Sequence, residues 1–193
     1  MSTLTPSSDV VSQAGRAAHE LGMAALLGGN LFGRLALHPS VDRISDPRER
    51  GEVVNAAWRR YGTINSIGLA AVTAGWFGTR AEEARGPAKL TGRERVLARA
   101  KDGLVGTVFV TGVLTAVEGI RFARQAPDGA VPLADGSTPD ASTPPRAARM
   151  KRTLNGLGAL AIGAEAALIA VNAALAQENF RRAPLRRRVR RWG

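Results

Sequence analysis

A chain of 193 residues with 27 basic and 16 acidic side chains, a net charge of +11 and a mean hydropathy of −0.08 is long enough for one domain or a small helical bundle. It has no cysteine, which excludes disulfides, thiolate metal sites and cysteine nucleophiles. Its 45% apolar content gathers in four blocks separated by charged intervals, so the excess of arginine points to anionic lipid headgroups rather than to nucleic acid.

In chain order, residues 1–16 are small and polar and read as a flexible tail. The first apolar block is 17–38, with an uncharged centre at Leu21–Gly33 and His19, Glu20 and Arg34 toward its ends. His38-Pro39 reads as its terminator, because proline cannot continue the helical hydrogen-bond ladder. Within 40–60, Ser45 or Asp46 is placed to cap a helix with Pro47 in its first turn. Val53, Val54, Ala57 and Trp58 would give that helix one apolar face, laid along a membrane surface.

The second block, 61–79, carries Tyr61, Trp76 and Phe77 near its ends in the manner of an aromatic belt. A charged loop or short helix (80–102) leads to the third block, 103–122, and the Pro-, Ser-, Asp- and Gly-rich stretch 126–148 reads as a flexible loop. The fourth block, 153–177, has 25 residues of which Glu165 alone is charged, and as a helix it would exceed the ~30 Å of a bilayer core. The tail 181–193 holds seven arginines.

These spans predict an all-α fold, an integral membrane four-helix bundle over 17–180 between two tails, with a soluble Ala-rich four-helix bundle as the rival. TINSIGLAAVTAG (63–75) aligns without gaps to TLNGLGALAIGAE (153–165), which suggests two similar helix pairs. Lys and Arg number 15 in the two tails and the middle loop, against 12 in the other two loops. That balance places both termini in the cytoplasm of a multi-pass protein of the cell membrane.

Polar side chains inside the blocks are the candidate functional residues. Thr107, Thr111, Thr115 and Glu118 share one face of the third helix, Glu165 and Asn172 one face of the fourth, and His19 and Asn30 one face of the first. An ionisable group at mid-membrane costs on the order of 3 kcal/mol on insertion scales, so Glu165 needs an interior partner, expected from the third helix. Asn30, Thr111, Thr115, Glu118, Glu165 and Asn172 therefore form a candidate intramembrane cluster. It either lines a cavity that binds substrate or relays protons, or holds helices in register by hydrogen bonds. No Glu-x-x-His pair supports a metal site, and neither metal nor cofactor is expected.

A first helix with the spacing Gly29-Asn30-Leu31-Phe32-Gly33 that ends in His38-Pro39, followed by a segment with Trp58-Arg59-Arg60-Tyr61, resembles the anthrone-oxygenase-like family of small four-helix membrane proteins. The resemblance covers about residues 21–80; the loop 121–152 and the basic tail depart from the family pattern. It implies a four-helix membrane fold and oxidation of a flat, polyketide-like substrate without a tightly bound cofactor, with His38 and Trp58 as the nominated positions.

Phosphate-binding glycine loops and catalytic Ser–His–Asp sets are absent from the sequence. The leading expectation is an accessory or assembly component of the membrane, with a protein partner or a second copy. The alternatives are a membrane-embedded oxidative enzyme and a small proton-coupled transporter using buried carboxylates. No nucleic-acid partner is expected, since the basic tail lacks interleaved aromatics and a folded module.

Overall fold

Residues 8–85 and 91–181 are described by the computed structural model of the chain. They form four long helices: α1 (Ser8–Phe32), α2 (Pro47–Arg85), α3 (Gly92–Ala123) and α4 (Pro145–Arg181). The all-helical class read from the four blocks is what forms, but the helices run well past them. Residues 8–16, expected in a loose tail, are the first turns of α1. The basic segment 182–193 lies outside the described residues.

Segment 40–60 makes no separate surface helix. From Pro47 it is continuous with the second block, so Trp58 to Tyr61 lie mid-helix. No proline follows Pro47 to interrupt the ladder. Gly51 has a packing reason, because a Cβ there would overlap the Val131 carbonyl oxygen. Much of the charged interval 80–102 is likewise helical, as the start of α3. Thr91 and Glu94 close a capping box there, with Glu94 N–H donating to Thr91 Oγ1 at 3.3 Å and Thr91 N–H to Glu94 Oε2 at 2.7 Å.

Pro39 does not stop the first helical path. After Phe32 the chain makes a π-helical turn (Gly33–Leu37), a short α turn (His38–Ser40) and a 3₁₀ turn (Val41–Arg43), and turns extended only at Ile44. His38 thus belongs with the turns beyond the apolar part of α1.

α1 packs antiparallel on α2 at near-backbone distance. A Cβ on Gly22 would meet the Gly68 carbonyl at 2.7 Å, one on Gly29 would overlap the Tyr61 ring, and one on Gly33 the Trp58 ring. α3 packs antiparallel on α4, and the two pairs close on a shared core of Met23, Leu26, Val72, Val105, Val108, Ala164 and Leu168. The aligned residues of the two pairs sit differently: Gly68 is buried against Leu26, whereas a Cβ on Gly158 would meet nothing within 4 Å.

A second core caps one end of the bundle, built from Val41, Val54, Phe122, Val131, Leu133 and Ala147. Here the expectation for 126–148 is corrected: the stretch is a folded cap. Leu133 is 0% exposed and its N–H donates to Pro47 O at 2.9 Å. Arg50 reaches Ile44 O at 2.7 Å and Ala134 O at 2.6 Å, and Thr143 Oγ1 donates to Pro132 O at 2.6 Å. With its apolar side chains buried and its carbonyls answered, the loop meets the conditions that any buried backbone must meet.

Outside both cores, large apolar side chains stand exposed along the helices. Leu21, Phe32, Ile64, Ile67, Phe109, Val110, Leu114, Ile120 and Leu160 are exposed, and they lie on all four helices. Among the described residues two helices, α3 and α4 as far as Glu178, are long and apolar enough to cross a membrane.

Candidate functional site

Polar side chains gather at two heights in the molecule. The first group joins α1 to α4 inside the bundle. Glu165 is 2% exposed, and its Oε1 accepts from Asn30 Nδ2 at 2.8 Å. Further along α4, Asn172 Nδ2 lies 3.1 Å from His19 Nε2 and 3.3 Å from Glu20 Oε1. His19 Nδ1 lies 2.9 Å from the Val72 carbonyl, which only accepts, so the ring proton sits on Nδ1 and Nε2 accepts from Asn172. One imidazole therefore ties α1 to α2 and α4 together.

The structure thus unites Asn30 with Glu165, and Asn172 with His19. The third helix contributes none of these bonds. Thr107 and Thr111 donate back to carbonyls of their own helix, Gly103 O at 2.9 Å and Thr107 O at 2.7 Å. Glu118 pairs with Arg121 one turn on at 3.5 Å. Thr115 Oγ1 is buried and bonds to none of these groups. The threonine stripe shares a face, as its spacing requires, but the Thr107 and Thr111 hydroxyls are satisfied locally by carbonyls four residues back. Tyr61 is also turned inward, its hydroxyl donating to Ala25 O at 2.7 Å, so it ties α2 to α1 instead of serving in a belt.

The second group lies in the cap. Trp58 Nε1–H donates to His38 Nε2 at 3.1 Å, with the rings edge to face at 5.9 Å between centroids. An indole nitrogen only donates, so His38 Nε2 is unprotonated and its proton sits on Nδ1, facing Ser137 Oγ at 3.0 Å. Gly136 N–H donates to His38 O at 2.9 Å, and a Cβ on Gly136 would overlap His38. Asn155 Nδ2 holds Ser137 O at 2.8 Å. The loop is therefore seated on the turns that follow α1 and on the N-terminal third of α4.

Burial, with the Lys151 ammonium nearby, holds the His38 ring well below the usual imidazole range, at about 4, against a smaller opposing pull from Asp135. Burial raises the Asp135 carboxyl, but the N–H groups of Ser137 and Thr138 outweigh it and hold the group below the usual carboxylate range. Lys151 is 4% exposed and lies over the Phe122 ring at 5.6 Å. Beside Trp58 an apolar pocket of about 300 Å³ opens between α1 and α2, lined by Gly28, Phe32, Leu37 and Tyr61 among others.

Sequence reasoning placed His38 and Trp58 together only through a resemblance. It missed Ser137, Asn155, Asp135 and Arg50, which hold the loop. A histidine next to a helix end and a polar loop rich in Asp and Ser was the one available signal. The chain matches no protein-family model, no curated protein and no solved structure.

Proposed function

We propose that this chain is a small multi-pass protein of the cell membrane that acts as an accessory or assembly component through its outer faces. The observation that carries the reading is a pairing of opposites: apolar side chains stand exposed on all four helices, while Glu165, Asn30, Asn172 and His19 are turned inward onto one another. In water that arrangement would leave a large apolar surface uncovered; in lipid it is the stable one. The Asn30–Glu165 and Asn172–His19 hydrogen bonds run from helix to helix and hold the bundle together, which leaves the outer faces and the cap for partners.

The basic-residue balance argues for both termini and the interval 80–102 in the cytoplasm, with the His38 cap on the far side. Membrane fractionation tests the proposal: the chain should resist carbonate and high salt, and should co-purify from mild detergent with a protein partner or a second copy. Release by carbonate would refute the membrane reading. A purely monomeric, partner-free chain would refute the assembly role.

A second reading follows the resemblance to the anthrone-oxygenase-like family, a membrane-embedded oxidative enzyme acting on a hydrophobic substrate. Its support is the contact of His38 with Trp58 beside the apolar pocket. A flat polyketide-like ligand should then raise the melting temperature of the chain and lose that effect when Trp58 is replaced by leucine. Absence of any thermal shift would sink it.

A further inference from the structure

We infer that the groove between α3 and α4 holds one phospholipid with an anionic headgroup, an inference that rests on the membrane reading above. The groove is an open depression of about 380 Å³ lined by Gly103, Gly106, Val110, Leu114, Leu157 and Leu160. A Cβ on Gly103 or Gly106 would meet no atom within 4 Å, so packing within the chain does not require glycine at either place. Each nonetheless costs a helix interior about 1 kcal/mol relative to alanine. What the two glycines create is open space on a surface otherwise covered by branched side chains.

The dimensions suit an acyl chain. From Gly103 to Leu114 the helix rises ~16 Å, about half of the ~30 Å hydrocarbon core, which is the depth of one leaflet. The stripe then continues into charge. Arg99 precedes Gly103 by four residues and Gly106 by seven, which puts it about 25° from the mean direction of Gly103, Gly106, Val110 and Leu114, and Arg95, one turn earlier, lies about 65° from it. Both side chains are exposed.

Among the described side chains, three acidic groups at this end are engaged elsewhere. Asp102 accepts from Trp76 Nε1 at 2.7 Å and from Arg80 Nε at 2.8 Å, Glu178 pairs with Arg93 at 3.1 Å, and Glu94 closes the capping box. The guanidinium groups of Arg95 and Arg99 therefore stand at headgroup depth, and a guanidinium binds phosphate oxygens in a fork. In the proposed topology this is the cytoplasmic leaflet, the one with a negative surface potential. A second copy is the poorer occupant. A parallel two-fold pair sharing the groove would bring Arg95 and Arg99 of each chain together at one depth.

The full chain in detergent, titrated with phosphatidylglycerol and phosphatidylcholine of identical acyl chains, gives the test by native mass spectrometry. One phosphatidylglycerol should be retained in preference to phosphatidylcholine by about tenfold or more, as two basic side chains near an anionic group imply. Arg95→Gln with Arg99→Gln should abolish the preference, and Gly106→Leu, whose Cβ meets open space, should lower retention of both lipids while leaving the melting temperature in place. Equal retention of the two lipids by a carbonate-resistant chain would overturn the groove and leave the membrane reading standing. Efficient disulfide cross-linking of Gly106→Cys between chains in bilayers would assign the groove to a second copy and overturn the lipid.

Discussion

Asn30 and Glu165 meet at 2.8 Å across 135 residues of sequence, the amide of α1 donating to the carboxyl of α4. Glutamine at 165 keeps an acceptor for Asn30, so Glu165→Gln should melt within a few degrees of the parent. Glu165→Leu leaves the Asn30 amide buried without its acceptor and should cost ~1–3 kcal/mol. Thermal unfolding of the detergent-solubilised chain compares the two. Equal destabilisation by both variants would show that this bond is not what the carboxyl contributes.

Gly29 and Gly33 admit the rings of Tyr61 and Trp58 against the α1 backbone. Gly29→Val would drive the Tyr61 ring away and break its bond to Ala25, so a loss at or above the ~1–3 kcal/mol of ordinary overpacking is expected. Gly119→Ala is the matched control, since a Cβ there meets nothing within 4 Å. It should be neutral or stabilising by up to ~1 kcal/mol. A control that destabilises as much as Gly29→Val would undo the close-approach account.

The cap should weaken in acid. His38 is lowered from 6.5 to about 4 in the fold, so the neutral ring is the form that the native state prefers. Its contribution is therefore complete above about pH 6.5 and is lost as pH falls from there toward 4, where the unfolded chain binds the extra proton. Protonated Nε2 would also cease to accept from Trp58. Tryptophan fluorescence of the parent and of His38→Gln should diverge in that window. A parent whose signal is flat between pH 7 and 4 would contradict the assignment.

The stretch 126–148 should resist proteolysis. Leu133 is fully buried in the second core, so Leu133→Ala should cost ~2–5 kcal/mol and open the stretch to cleavage, with protection elsewhere in the bundle unchanged. Rapid cleavage of the parent within 126–148 under the same conditions would mean that the cap does not hold.

What the sequence determined by itself is what local chemistry can decide. Uncharged runs rich in Ala, Leu and Val specify helices, and their periodicity specifies which residues share a face. The position of Glu165, mid-way along a 25-residue apolar run, was enough to turn it inward, because its side chain cannot reach either end. The terminator expected at His38-Pro39 did not hold, because the chain stays helical through Arg43.

Tertiary structure decided which face meets which. Glu165 was expected to face the threonines of the third helix, but the Thr107 and Thr111 hydroxyls bond within their own helix, and the amide that meets the carboxyl belongs to α1. The stretch 126–148 looks unstructured because its turn residues carry no periodicity. Two buried apolar side chains, Val131 and Leu133, with the fork of Arg50 and the His38–Ser137 contact, fix it to three helices. Such contacts depend on the relative rotation and height of helices far apart in the chain. Periodicity within one segment sets the direction in which a side chain points, and packing supplies what stands there.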